Sequence, residues 1–184
     1  MIVTTAEQVK ASNPDAVYIC DPVIGNEEVG SFVMPKIPEV LRERIIPVAD
    51  IITPNQWELR LLSGRRLSSI SETIDAARSL NDRCIVTSCE AEPGRIGNLA
   101  GWPEEAWYVE TPRLKGKTVG TGDLAAAIVA ATHREGPKAA LEHMAGTLYD
   151  MVYATVSAGL PEMPLIAEQE LIVTPRSSFG AVRV

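Results

Sequence analysis

Three short apolar runs, each bounded by turn residues, constrain this chain more than anything else in its 184 residues. They are AVYIC (Ala16–Cys20), DIIT (Asp50–Thr53) and RCIVTS (Arg83–Ser88). Runs of this length, apolar on both faces and β-branched, suit strands buried on both sides. Between them lie stretches of helical pattern: Val3–Ser12, Pro35–Ile46, Gln56–Ser63 closed by Gly64, and Ser71–Leu80 with Ser71 as N-cap. Strands separated by helices predict an α/β fold, with a mostly parallel central sheet covered by helices on both faces. Further along, Ile96–Leu99 and Ala106–Glu110 suit a strand pair joined through Gly101-Trp102-Pro103. Asp123–Arg134 and Pro137–Ala158 are the longest helical patterns, and Leu171–Thr174 suits a late strand. In the second long helix Leu141, Met144, Leu148 and Val152 recur at helical spacing, as for a face laid on the sheet. The length and the absence of repeats or linkers predict a single domain over residues 1–184.

Charge narrows the partners. A net charge of -7 and the lack of a basic stripe argue against nucleic acid. Arg65-Arg66 and Arg113–Lys117 are short basic patches suited at most to a small anion. No apolar run is long enough to span a bilayer, so no membrane partner is expected, and the N-terminus lacks a signal-peptide layout. Three cysteines, Cys20, Cys84 and Cys89, lie in or beside apolar runs and suit buried free thiols in a reducing, cytoplasmic setting. His133 and His143 are too few for a zinc cluster.

In doubly wound sheets ligands bind beyond the carboxyl ends of the strands. The residues there are Asp21, Thr53-Pro54-Asn55 with Glu58, and Thr87-Ser88. The turn Gly120-Thr121-Gly122-Asp123 opens the small-residue helix that follows. Free amides at a helix start bind anions, and glycines let a phosphate approach the backbone closely. An aspartate at that place has two candidate roles. Asp123 caps the helix, or it takes a proton from an alcohol while the amides hold a phosphoryl group in transfer. Asp21 and Glu58 are candidates for holding a divalent cation with a nucleotide. A turn aspartate before Pro22 and a first-turn helix charge account for them equally well.

The segments YICDPVIGNEEVGSFV, VADIITPNQWELRLLSG and VGTGDLAAAIVA resemble, in order and spacing, the pyridoxal kinases of the ribokinase-like superfamily. That resemblance implies ATP-dependent phosphorylation of the 5′-hydroxyl of pyridoxal or a related B6 vitamer. It implies Mg2+ as cofactor, with a monovalent cation as a further candidate, and a cytoplasmic homodimer. By position it implies Asp123 as the base, in contact with substrate, and Gly120, Thr121 and Gly122 as the anion hole. Asp21, Thr53, Asn55, Glu58, Thr87 and Ser88 fall at the ATP and cation, with Asp21 and Glu58 acting on the metal through water. Asn26–Val33 resembles a flap over the substrates, with Phe32 at an aromatic position. Hydroxymethylpyrimidine kinases share the pattern but typically carry cysteine at the place of Asp123. The family also has strands before the matched region that these residues do not contain. The resemblance therefore implies an exposed edge at Ala16–Cys20, and leaves open a catalytically weak nucleotide-binding remnant or interaction module.

Overall fold

The computed structural model describes residues 1–116 and 118–184. Lys117, at the end of one basic patch, lies outside them. In chain order the elements are α1 (Ile2–Ser12), β1 (Ile19–Cys20), β2 (Gly25–Asn26), β3 (Gly30–Ser31), α2 (Ile37–Val40), β4 (Ile51–Ile52), α3 (Gln56–Ser63), α4 (Ile70–Leu80), β5 (Cys84–Cys89), β6 (Arg95–Gly101), β7 (Ala106–Pro112), α5 (Thr121–Thr132), α6 (Pro137–Ser157), α7 (Glu170–Val173) and β8 (Val182–Arg183). Six strands form one sheet in the order β1-β4-β5-β6-β7-β8, and β2 pairs with β3 in a separate hairpin.

The α/β expectation holds, with a mixed sheet. β1, β4 and β5 are parallel, linked by the helical crossovers that parallel neighbours require, whereas β5 through β8 are antiparallel. The β6–β7 connection is too short to cross over, so a hairpin is the only solution; Trp102 and Glu105 close it with backbone bonds. β1 is an edge strand, as expected.

Side chains alternate across the sheet and supply two cores. Ile52, Cys84, Val86, Leu99 and Tyr108 point to the side of α3 and α4. Ile51, Ile85, Ala100 and Val109 point to the side of α5 and α6, where they meet Leu124, Ile128, Leu141 and Met144. The three cysteines are buried and free, and burial pushes the Cys20 thiol up to about 11, too high for a nucleophile near neutrality.

Three local expectations are corrected. The stretch expected as one helix over Pro35–Ile46 is regular only over Ile37–Val40. It then widens to a π-type turn at Leu41–Ile45 and tightens at Ile46–Val48. Pro47 has no N–H to bond back to Glu43, so the regular ladder cannot continue. The cap of α4 is Ser69, whose hydroxyl accepts the Glu72 N–H, and not Ser71. Leu171–Thr174 is not a strand. The carbonyls of Leu171 and Ile172 are taken by Thr147 and His143 of α6, which hold the segment as a helical turn. The late strand is β8 instead.

Candidate active site

The carboxyl ends of β1, β4 and β5 come together as the sequence pattern requires. Thr53 N–H donates to the Cys20 carbonyl at 3.0 Å, Thr87 N–H donates to the Pro54 carbonyl at 3.0 Å, and Asn55 bridges to Thr87 in parallel. Asp21, Thr53, Asn55 and Thr87 are thereby lined up along one edge.

Asn55 and Glu58 open α3 with a reciprocal capping box. Glu58 does more than cap. It is 3% exposed, and its Oε1 accepts the N–H groups of Ile24 and Gly25 at 2.6 and 3.2 Å while Oε2 accepts that of Asn55 at 3.0 Å. Asn55 Nδ2 donates to the Gly25 carbonyl at 2.8 Å. Together they clamp the root of the β2–β3 hairpin, the segment expected as a flap. Gly25 must be glycine there, because a Cβ would run into the Gly30 backbone. Asn26 Oδ1 holds the hairpin tip by accepting from Glu28 and Val29. Phe32, just after β3, is 58% exposed and lines neither of the cavities described below.

Asp21 lies between Glu58 and the start of α5. Burial first, then the charges of Glu58 and Asp123, push its carboxyl up to about 6. Thr53 offsets part of this rise, although its hydroxyl oxygen is buried and makes no hydrogen bond of ordinary geometry. An acidic group unsettled by two like charges, beside an unpartnered buried hydroxyl, fits a cation bound there. Among the described residues no three acidic, His or Cys side chains converge as a cage. Glu58, with both oxygens engaged by backbone amides, can contribute charge or bonds through water.

The α5 start bears on the capping role considered for Asp123. Gly120 is the N-cap residue, at φ 84, and Asp123 lies in the first turn with no side-chain cap hydrogen bond at this helix start. The first bond of the helix runs from Leu124 N–H to the Gly120 carbonyl, so the amides of Thr121, Gly122 and Asp123 have no helical partner. Asp123 is exposed, and among the described residues its carboxylate has no hydrogen-bond or ion-pair partner. Gly122 lies close to Asp21: a Cβ there would come 3.9 Å from Asp21 Oδ2.

Two cavities meet at this turn. One, of about 550 Å³, is lined by Gly120 and Asp123 and lies along α5 against His143 of α6 and Met163, Leu165 and Ile172. The other, of about 250 Å³, is bounded by Thr121 and Gly122, by Thr87 and Ser88, and by Leu148, Tyr149 and Val152 of α6. Ser88 has φ 57, a left-handed conformation uncommon for serine, at an irregularity in β5. Asn98 and Thr111 line the smaller cavity and were not singled out by the sequence reading. The available signal was a polar residue at an inward position of a buried strand, Asn98 within GNLAG.

The phosphomethylpyrimidine kinase family model matches residues 1–159. Among curated proteins, pyridoxal kinase PdxY of Leifsonia xyli is 40% identical over 193 aligned residues, covering all of this chain and 68% of the relative. The PdxY of Corynebacterium diphtheriae is 38% identical with the same coverage. This chain belongs to the pyridoxal kinase family. Pyridoxal kinase from Leishmania donovani, in complex with ADP and pyridoxamine, has the same fold, with a TM-score of 0.91 at 22% identity over all of this chain and 69% of that one. The Trypanosoma brucei pyridoxal kinase is also similar, with a TM-score of 0.81 at 25% identity, over all of this chain and 66% of that one. The curated relatives, pyridoxal kinases at 40% and 38% identity, favour the pyridoxal kinase reading over the alternatives, and the solved structures show that the fold is shared.

Proposed function

We propose that the chain transfers the γ-phosphoryl group of ATP to the 5′-hydroxyl of pyridoxal, giving pyridoxal 5′-phosphate and ADP. The observation that carries this is the exposed Asp123 in the first turn of α5, making no cap bond there, beside amides with no helical partner. In this reading Asp123 takes the proton of the substrate hydroxyl as its oxygen attacks the γ-phosphorus in line with the departing ADP oxygen. The amides of Thr121 to Asp123 hold the equatorial oxygens, where the positive end of α5 favours the negative charge. Glu58 and Asn55 fix the hairpin root, so that the flap can exclude water from the transfer.

Asp21 and the Thr53 hydroxyl are the residues that would hold Mg2+ beside the nucleotide phosphates, with Glu58 adding charge. The metal supplies neutralisation of phosphate charge. Thr87 and Ser88 lie at the phosphate end of the smaller cavity, where their hydroxyls suit phosphates or a monovalent cation. A cytoplasmic homodimer belongs to the same reading. No helix among the described residues is long and apolar enough to cross a membrane.

The test is formation of pyridoxal 5′-phosphate by the purified chain with Mg-ATP and pyridoxal, beside Asp123→Asn. Product that disappears in the variant supports the reading. ATP binding without product under any B6 vitamer would leave a nucleotide-binding module. A higher kcat/KM with hydroxymethylpyrimidine would move the assignment to that substrate.

A further inference from the structure

Val23 turns the chain in a direction its own side chain resists. Among the described residues, two that are not glycine have a left-handed backbone: Ser88, and Val23 at φ 47. For a β-branched residue this conformation is a genuine outlier, because Cβ crowds the carbonyl oxygen, whereas glycine adopts it freely and asparagine readily. Packing of the side chain does not offset the cost. Val23 is 48% exposed, while Pro22 before it and Ile24 after it are buried.

The turn is imposed from both ends. Upstream, Cys20 is paired with Ile52, and its carbonyl accepts the Thr53 N–H at 3.0 Å. Downstream, the Ile24 side chain is in the core, its carbonyl accepts the Phe32 N–H, and Glu58 Oε1 holds its N–H at 2.6 Å. Of the three residues between, Pro22 has its φ locked by the ring, and Asp21, which precedes a proline, is kept to extended conformations. Val23 is left to make the reversal. What the reversal gives is a place for Asp21, whose Oδ2 would lie 3.9 Å from a Cβ on Gly122 in the turn that opens α5. Glycine at position 23 would join the same fixed ends through several backbone wells and let Asp21 wander. Valine has one narrow left-handed well. Strain that the surroundings over-determine in this way is found where a site is preorganised.

We propose that Val23 is a positioning residue for Asp21. Its strained backbone fixes the carboxylate, before any ligand arrives, where a divalent cation would join it to the nucleotide phosphates. This rests on the cation reading given above. Val23 acts through Asp21 and touches neither the cation nor the reacting atoms.

The experiment is calorimetric titration of ADP into the full chain, Val23→Gly, Val23→Asn and Asp21→Asn, in excess Mg2+ and again in EDTA, alongside thermal denaturation. The quantity read is the factor by which Mg2+ strengthens ADP affinity. Val23→Gly should lower that factor about fivefold, because cation binding must then remove the added freedom of glycine. Its ADP affinity in EDTA should stay within about twofold of the unchanged protein. Val23→Asn, which holds the left-handed turn with less strain, should raise Tm by about 2–4 °C and keep the Mg2+ factor within about twofold. An unchanged Mg2+ factor in Val23→Gly overturns the proposal. So does an equal loss in Mg2+ and in EDTA, or failure of Val23→Gly to fold, since either would make the residue structural only. A lowered Tm in Val23→Asn overturns it as well, because the backbone would then carry no strain to relieve. If the unchanged chain binds ADP no better with Mg2+ than without, the cation reading falls and this inference with it. If Asp21→Asn abolishes the Mg2+ effect while Val23→Gly preserves it, only this inference falls.

Discussion

Asn55 and Glu58 hold each other's backbone at the start of α3: Asn55 Oδ1 accepts the Glu58 N–H at 2.9 Å, and Glu58 Oε2 accepts the Asn55 N–H at 3.0 Å. Because Glu58 Oε1 also takes the amides of Ile24 and Gly25, one buried carboxylate joins α3 to the root of the hairpin. Glu58→Gln turns one acceptor into a donor facing backbone donors. It should cost about 1–3 kcal/mol of stability, read as a lowered Tm, and weaken MgATP binding because the hairpin root is freed. An unchanged Tm would remove Glu58 from this structural role.

Asp123→Asn should behave in the opposite way. Its carboxylate makes no capping bond, so stability should stay within about 0.5 kcal/mol. Turnover should fall roughly 10²–10⁴-fold with ADP affinity retained, the pattern of a lost general base. A variant that unfolds would return the capping role to Asp123.

Asp21 gives the site a pH signature. Its folded value of about 6 lies above the ordinary carboxylate value of 3.8, so between these limits the folded protein binds more protons than the unfolded chain. The stability that this group contributes is therefore full below about pH 4 and is lost as pH rises through about 6. Asp21→Asn should leave Tm near that of the unchanged protein at pH 4 and raise it increasingly up to pH 7. Magnesium favours the ionised form, so MgADP affinity should strengthen as pH rises through about 6, and this dependence should vanish in the variant. A pH-independent difference in Tm would place the source of the shift elsewhere.

What was legible in the sequence follows from where local rules and tertiary demands agree. AVYIC, DIIT and RCIVTS are apolar on both faces because the sheet is covered on both faces, and each is followed by the polar group that the edge needs. Thr53 and Thr87 were singled out that way and the structure brings them to one edge, and Asp123 was singled out by the glycines that mark its helix start. The Asp123 ambiguity could not be resolved from composition, since a capping and a free carboxylate occupy the same sequence position; only the absence of a cap bond separates them. Leu171–Thr174 was misread because LIVT is β-branched and apolar, and the choice of helix is made by Thr147 and His143 some 24 and 29 residues away. That Asn98 lines the smaller cavity was not legible, because it depends on the register of β6 with β7, which no short stretch encodes.

The irregularity at Ser88 is held from behind the site. Gln56 Oε1 accepts the Glu90 N–H at 2.8 Å, and the Tyr108 hydroxyl lies 3.1 Å from the Glu90 carbonyl and 3.0 Å from Glu110 Oε1, one proton serving both. Arg95 Nε steadies Glu110 at 2.7 Å. These bonds hold the chain two residues beyond a serine whose φ of 57 is costly to maintain and whose side bounds the smaller cavity. Releasing them should let the bulge relax toward ordinary strand geometry. Gln56→Leu and Tyr108→Phe should each cost about 0.5–1.5 kcal/mol. Both should speed hydrogen exchange at the Glu90 amide and weaken MgADP binding by roughly threefold to tenfold. Because neither side chain lines the smaller cavity, lost affinity with faster exchange at Glu90 would mark them as positioning residues for Ser88. Unchanged affinity with faster exchange would show that the Ser88 conformation serves the fold and not the ligand.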